Sequence, residues 1–84
     1  MAKVIIYSGE YCPYCQRAKQ FFESRGVDYT ELRVDQDPEL RREMETKSQR
    51  RTIPQIFIND QHIGGYDDLI ALARTEALDK ILEE

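Results

Sequence analysis

The sequence predicts an α/β fold: a mixed four-stranded sheet with helices packed on it, in the order β-α-β-α-β-β-α-α. Three observations carry that expectation. A strand-like run, Val4-Ile5-Ile6-Tyr7-Ser8, is followed by a helix-like run to Arg25 and then by a second strand-like stretch. Such a crossover is right-handed and makes its two strands parallel. Further on, two short strand-like runs flank Asn59-Asp60, a tight-turn signal for an antiparallel hairpin. A sheet that holds both is mixed. The chain has 84 residues, 40% of them apolar, which suits one domain over residues 1–84 with a small core.

The elements follow in order. Residues 3–8 read as the first strand, and the unbroken run Val4-Ile5-Ile6 places it centrally, buried on both faces. Ser8-Gly9-Glu10-Tyr11 is the loop into the first helix, about Pro13 to Arg25. Ala18, Phe21 and Phe22 share one face of that helix as core filler, and Gly26 stops it. Residues 28–34 form the second strand, with Tyr29, Leu32 and Val34 its more buried positions. Asp37 is the N-cap of a second helix, with Pro38 at its first position. That helix runs to about Lys47 and has only Leu40 and Met44 as core anchors, while Arg41 and Arg42 read as a solvated face. Ser48-Gln49-Arg50-Arg51 is a polar, basic loop. Gln55 to Ile58 and Gln61 to Ile63 form the hairpin, in which His62 is a solvated or hydrogen-bonded strand residue. Gly64-Gly65 breaks the fourth strand, and a third helix starts at Tyr66-Asp67-Asp68 with an acidic first turn that complements its dipole. A fourth helix carries Ala77, Leu78, Ile81 and Leu82.

Composition narrows the function classes. The net charge of −4 argues against nucleic acid as a partner, because binding it requires neutralising phosphates. No apolar run reaches 18 residues and no signal-peptide pattern is present, so a membrane span is not expected. A reducing, cytoplasmic compartment fits, where paired cysteines are catalytic rather than structural.

Cys12-Pro13-Tyr14-Cys15 contains the only two cysteines. With Pro13 at the first helical position, Cys12 falls at the N-cap, facing free backbone N–H groups and the positive end of the helix dipole. Both favour a thiolate. Cys15 lies one turn further in, on the same side, about 5–6 Å away between Cα atoms, a separation that suits a disulfide. Cys12 therefore reads as the attacking thiolate and Cys15 as the resolving thiol. A zinc half-site is the first alternative, but two cysteines and the lone His62 fall short of four ligands. A structural disulfide is the second, but closing so short a loop removes little unfolded-state entropy.

Three stretches in this order and spacing resemble the dithiol glutaredoxins: Cys12-Pro13-Tyr14-Cys15, Thr52-Ile53-Pro54, and Gly64-Gly65-Tyr66-Asp67-Asp68. The resemblance covers essentially the whole chain. It implies a thioredoxin-like fold and an enzyme that uses glutathione as reducing co-substrate, with no metal. It implies Cys12 as nucleophile, Cys15 as resolving cysteine, and Tyr14 flanking the glutathione. It implies Ile53 offering backbone groups across a cis Ile53–Pro54 bond, with Thr52 and Pro54 shaping the site. Gly65, Tyr66 and Asp67 would receive the γ-glutamyl end. One position departs from the family: a lysine common three residues before the first cysteine is Gly9 here, and Arg50 or Arg51 could supply that charge instead.

The leading expectation is a monomeric, glutathione-dependent reductase of protein disulfides and glutathione mixed disulfides. One competing expectation is a redoxin reduced by thioredoxin reductase that donates electrons to ribonucleotide reductase. Another is an iron–sulfur carrier that ligates a cluster with glutathione. Pro13 counts against the carrier, and the glycine–glycine–tyrosine–aspartate run favours glutathione over thioredoxin reductase.

Overall fold

The structure is a computed structural model that describes residues 2–83. Its elements are β1 (Val4–Ser8), α1 (Pro13–Ser24), β2 (Thr30–Arg33), α2 (Pro38–Ser48), β3 (Gln55–Ile58), β4 (Gln61–Gly64), α3 (Tyr66–Ala73) and α4 (Ala77–Glu83). The sheet order is β2-β1-β3-β4. β1 runs parallel to β2 and antiparallel to β3, and β3 runs antiparallel to β4. The expected mixed sheet is present, with β1 and β3 at its centre. β2 is shorter than the 28–34 stretch expected from sequence: Asp28 and Tyr29 approach the sheet without joining the ladder.

Alternation along the central strands makes two cores. Val4 and Ile6 of β1 and Ile56 and Ile58 of β3 bury against Ala18 and Phe22 of α1, Leu69 of α3 and Leu78 of α4. On the opposite face, Tyr7 and Phe57 meet Val34 and Met44, with Leu40 packed alongside. Period-two side-chain alternation forces this division, and burial on both faces explains the unbroken apolar runs. Glu43 on α2 accepts a hydrogen bond from the buried Tyr7 hydroxyl.

Local signals set the element ends. Asp37 Oδ1 accepts from the Glu39 N–H at 3.0 Å, capping α2. After α1, Gly26 takes a left-handed φ of 68°, and the Val27 N–H closes back on the Phe22 carbonyl at 2.9 Å. Asn59 and Asp60 both have positive φ, at 52° and 66°, which gives the hairpin a twist matching its strands. Asn59 also pins the hairpin elsewhere: its Oδ1 accepts from the Lys3 N–H at 2.8 Å, and its Nδ2 donates to the Ile81 carbonyl at 3.2 Å. Among the described residues, no helix is long and apolar enough to cross a membrane.

Candidate active site

Three chain segments meet at one end of the sheet: the β1–α1 turn, the loop before β3, and the start of α3. The first carries the cysteines. Tyr11 has a left-handed φ of 55° that turns the chain into α1, and Cys12 takes the extended N-cap conformation before Pro13. Cys12 Sγ accepts from the Cys15 N–H at 3.2 Å, and the Gln16 N–H donates to the Cys12 carbonyl at 3.1 Å. The two sulfurs are joined as a disulfide, with Cα atoms 5.2 Å apart. Cys12 is half-buried, while Cys15 is only 1% exposed. The helix end therefore offers the outer sulfur to a partner and hides the inner one.

The second segment is held by Gln55. This fully buried side chain donates through Nε2 to the Thr52 carbonyl at 3.0 Å and to the Thr52 hydroxyl at 3.2 Å. Its Oε1 faces His62 Nε2 at 2.8 Å, so that ring nitrogen carries the proton and donates. Burial, then the nearby Arg50 guanidinium, lowers the His62 pKa and favours the neutral ring. The Ile53–Pro54 peptide bond is cis. The Ile53 carbonyl lies 4.0 Å from Cys12 Sγ, so this loop borders the outer sulfur directly.

The third segment depends on Asp68. Its Oδ2 accepts from the Gly65 N–H at 2.9 Å and from Arg50 Nη1 at 2.9 Å. Those two hydrogen bonds, the backbone one first, hold its carboxyl below the ordinary aspartate range. Gly64 has a φ of 117°, and a Cβ there would collide with the Asp68 carboxylate. Only glycine both adopts that backbone and leaves the carboxylate its place.

Between these segments lies an open groove of about 210 Å³. Tyr14, Thr52, Ile53, Pro54, Gly65, Tyr66 and Asp67, the seven non-cysteine residues singled out from sequence, all line it. Tyr14 and Tyr66 lie with ring centroids 6.1 Å apart, and the Arg17 guanidinium sits 5.3 Å from the Tyr14 ring centre. Two further residues line the groove: Arg50, from sequence a candidate replacement charge, and Asp68, from sequence part of the acidic first turn of α3. They form an ion pair across eighteen positions, and no local pattern signals that pairing. From sequence Gln55 is a strand residue only; its burial and its hold on Thr52 appear with the assembled sheet. Gly9 sits behind the groove: a Cβ there would come 2.7 Å from Ile53 Cδ1. Arg51 points away, with its Nε 4.0 Å from Glu45 Oε1. Among the described residues, no group of three or more His, Cys, Asp or Glu side chains is arranged to hold a metal.

An exposed thiol that attacks and a covered neighbour that resolves are the working parts of dithiol oxidoreductases. The glutaredoxin family model matches residues 4–63. Glutaredoxin 3 of Escherichia coli K12 is 52% identical over 83 residues, which cover 99% of this chain and 100% of that protein. The solution structure of a Brucella melitensis glutaredoxin is 48% identical, with a TM-score of 0.84, covering 98% of this chain and 89% of that one. A buckwheat glutaredoxin–glutathione complex is 30% identical, with a TM-score of 0.87, covering 95% of this chain and 76% of that one. The chain belongs to the glutaredoxin family. Its fold is thioredoxin-like and it is a thiol–disulfide oxidoreductase.

Proposed function

We propose that the enzyme draws electrons from glutathione, which occupies the groove between Thr52-Ile53-Pro54 and Gly65-Tyr66-Asp67. The observation that carries this reading is the 4.0 Å approach of Cys12 Sγ to the Ile53 carbonyl at the groove wall. A tripeptide disulfide-bonded to Cys12 would begin beside that edge and extend along it. The Ile53 backbone would then pair with the cysteinyl unit, and Tyr14 would cover it. The Asp67 carboxylate would meet the α-amino group of the γ-glutamyl end, while the first N–H groups of α3 would meet its α-carboxylate. Arg50, which lines the groove, would supply the positive charge absent at Gly9.

On a glutathione mixed disulfide, the Cys12 thiolate attacks the glutathionyl sulfur and the substrate leaves as a thiolate. A second glutathione thiolate then attacks glutathionylated Cys12, giving oxidised glutathione and free Cys12. On a protein disulfide, Cys12 forms a mixed disulfide with one substrate sulfur, and Cys15 attacks Cys12 to release the product. The second route gains from proximity, since the resolving thiol is one helical turn away. A monomer in the cytoplasm suits this chemistry, with glutathionylated and disulfide-bonded proteins as substrates. Ribonucleotide reductase is one disulfide substrate to assay.

The test separates the cysteines by reaction. Cys15→Ser should keep its activity on a glutathionylated peptide and lose most of its activity on a disulfide-bonded protein. Cys12→Ser should lose both. A folded Cys15→Ser variant that is inactive on the glutathionylated peptide would exclude the one-thiol route. Faster coupling to thioredoxin reductase than to glutathione and glutathione reductase would exclude glutathione as the electron source.

A further inference from the structure

A polar cluster lies between the sheet and the side of α1 that buries Cys15, and neither route described above uses it. Ser8, the last residue of β1, is fully buried and its hydroxyl donates to Glu31 Oε2 on β2. The same carboxylate oxygen accepts from Lys19 Nζ at 2.9 Å. The Lys19 and Glu31 side chains are only 17% and 29% exposed. Burial works against the Glu31 charge, but the Ser8 and Lys19 hydrogen bonds outweigh it and hold the carboxyl below its ordinary range. The Glu31 carboxylate is therefore charged at neutral pH.

The cluster's place follows from register. Val4, Ile6 and Ser8 alternate towards the α1 face of the sheet, and Glu31 stands opposite Ile6, so it shares that face. Lys19 lies four residues after Cys15, one turn along the side of α1 that buries Cys15, Ala18 and Phe22. Cys15 has a handicap that Cys12 lacks. It is buried and inside the helix, and burial disfavours a thiolate. The resolving step nevertheless needs one.

We propose that Lys19 is a positioning residue for the resolving step: its ammonium, one helical turn behind Cys15 and tethered by Glu31, favours the Cys15 thiolate that attacks Cys12. This rests on the dithiol route above. In that step Cys15 gives its proton to solvent and its sulfur bonds to Cys12 Sγ. The Cys12–substrate S–S bond breaks, and the electron pair leaves on the substrate sulfur, which is protonated from solvent. The other charged or ionisable groups on the facing elements are Cys12 and Arg17 on α1, Glu31 and Arg33 on β2, with Arg33 paired to Asp35 at 2.7 Å, and Tyr66 and Asp67 at the groove on α3. β1 contributes Tyr7, whose side chain points to the opposite face of the sheet, and β3 contributes only the neutral Gln55.

Because Lys19 and Glu31 carry opposite charges, the two substitutions have opposite signs. Lys19→Met removes the cation and leaves the anion, so the Cys15 titration should move up by about one pH unit or more. Glu31→Gln keeps a hydrogen-bonding group of the same shape and frees the cation, so the titration should move down. Lys19→Arg should restore the wild-type midpoint. The readout is the ¹³Cβ titration of both cysteines in the reduced full-length protein, together with the pH profile of single-turnover release from a protein mixed disulfide. The Cys12 midpoint should move by less than half as much. If the Cys15 midpoint is unchanged in Glu31→Gln, or moves the same way in both variants, the proposal is overturned. The Cys15 titration needs no glutathione, so it reads this proposal even if the glutathione assay overturns the electron source.

Discussion

Cys12 and Cys15 are one kind of side chain placed in two environments. Cys12 Sγ receives a backbone N–H at 3.2 Å at the end of a helix, whereas Cys15 is sealed against the core. In the reduced protein Cys12 should titrate in the range of about 3.5–7.5 found for cysteines at helix starts, well below Cys15. Iodoacetamide alkylation rates against pH, with peptide mapping, should show Cys12 reacting first at every pH below 8. Preferential labelling of Cys15 would reverse the two roles. At Gly64, alanine should both strain a left-handed backbone and displace the Asp68 carboxylate. Gly64→Ala should lose more than about 1 kcal/mol in urea unfolding and weaken glutathione binding, measured by calorimetry on the Cys15→Ser background.

At the scale of elements, α1 joins the chemistry to the core. Its N-terminus presents Cys12, while Ala18 and Phe22 fasten it to β1 and β3 at 0% exposure. Phe22→Ala should destabilise the protein by about 3–5 kcal/mol in denaturant unfolding, because the side chain is fully enclosed. A loss below about 1 kcal/mol would mean that the cavity collapses freely. α2 is tied more lightly, with Met44 its one fully buried apolar side chain. Removing its cap with Asp37→Ala should cost about 1 kcal/mol.

Across the whole molecule, local signals wrote much of the fold into the sequence. The N-cap at Cys12, the Gly26 stop, the Asp37-Pro38 start and the Asn59-Asp60 turn are each set by neighbours in the chain, and each is visible there. The pairing of β1 with β3 is not, because it joins residues some fifty positions apart. The site divides the same way. Motif residues such as Tyr14 and Ile53 were legible, whereas Arg50–Asp68, Gln55–Thr52 and Ser8–Glu31–Lys19 exist only once the strands are assembled. Two tyrosines show a further global property. Tyr7 and Tyr29 each donate to a glutamate, and burial, then those hydrogen bonds, raises both hydroxyl pKa values, Tyr29 up to about 12. The unfolded chain ionises its tyrosines near pH 10 while the folded chain keeps these protons. Their stabilising contribution is therefore intact below about pH 10 and declines as pH rises towards 12. Urea midpoints across this range should fall, and Tyr29→Phe should flatten the slope. An unchanged slope would place Tyr29 outside the linkage.

The contact between Gly9 and Ile53 orders the mutational routes open to this protein. A side chain at position 9 needs the space that Ile53 Cδ1 fills, and valine differs from isoleucine by that one methyl. Ile53→Val first, then Gly9→Lys, passes through a mild intermediate costing about 0.5–1.5 kcal/mol. The reverse order forces the methyl aside at the groove wall while it is still present. The two substitutions should be epistatic: the double variant should be more stable than the sum of the single changes implies, by at least about 0.5 kcal/mol. A thermodynamic cycle of the four proteins measures that term, and a value of zero would make the two positions historically independent.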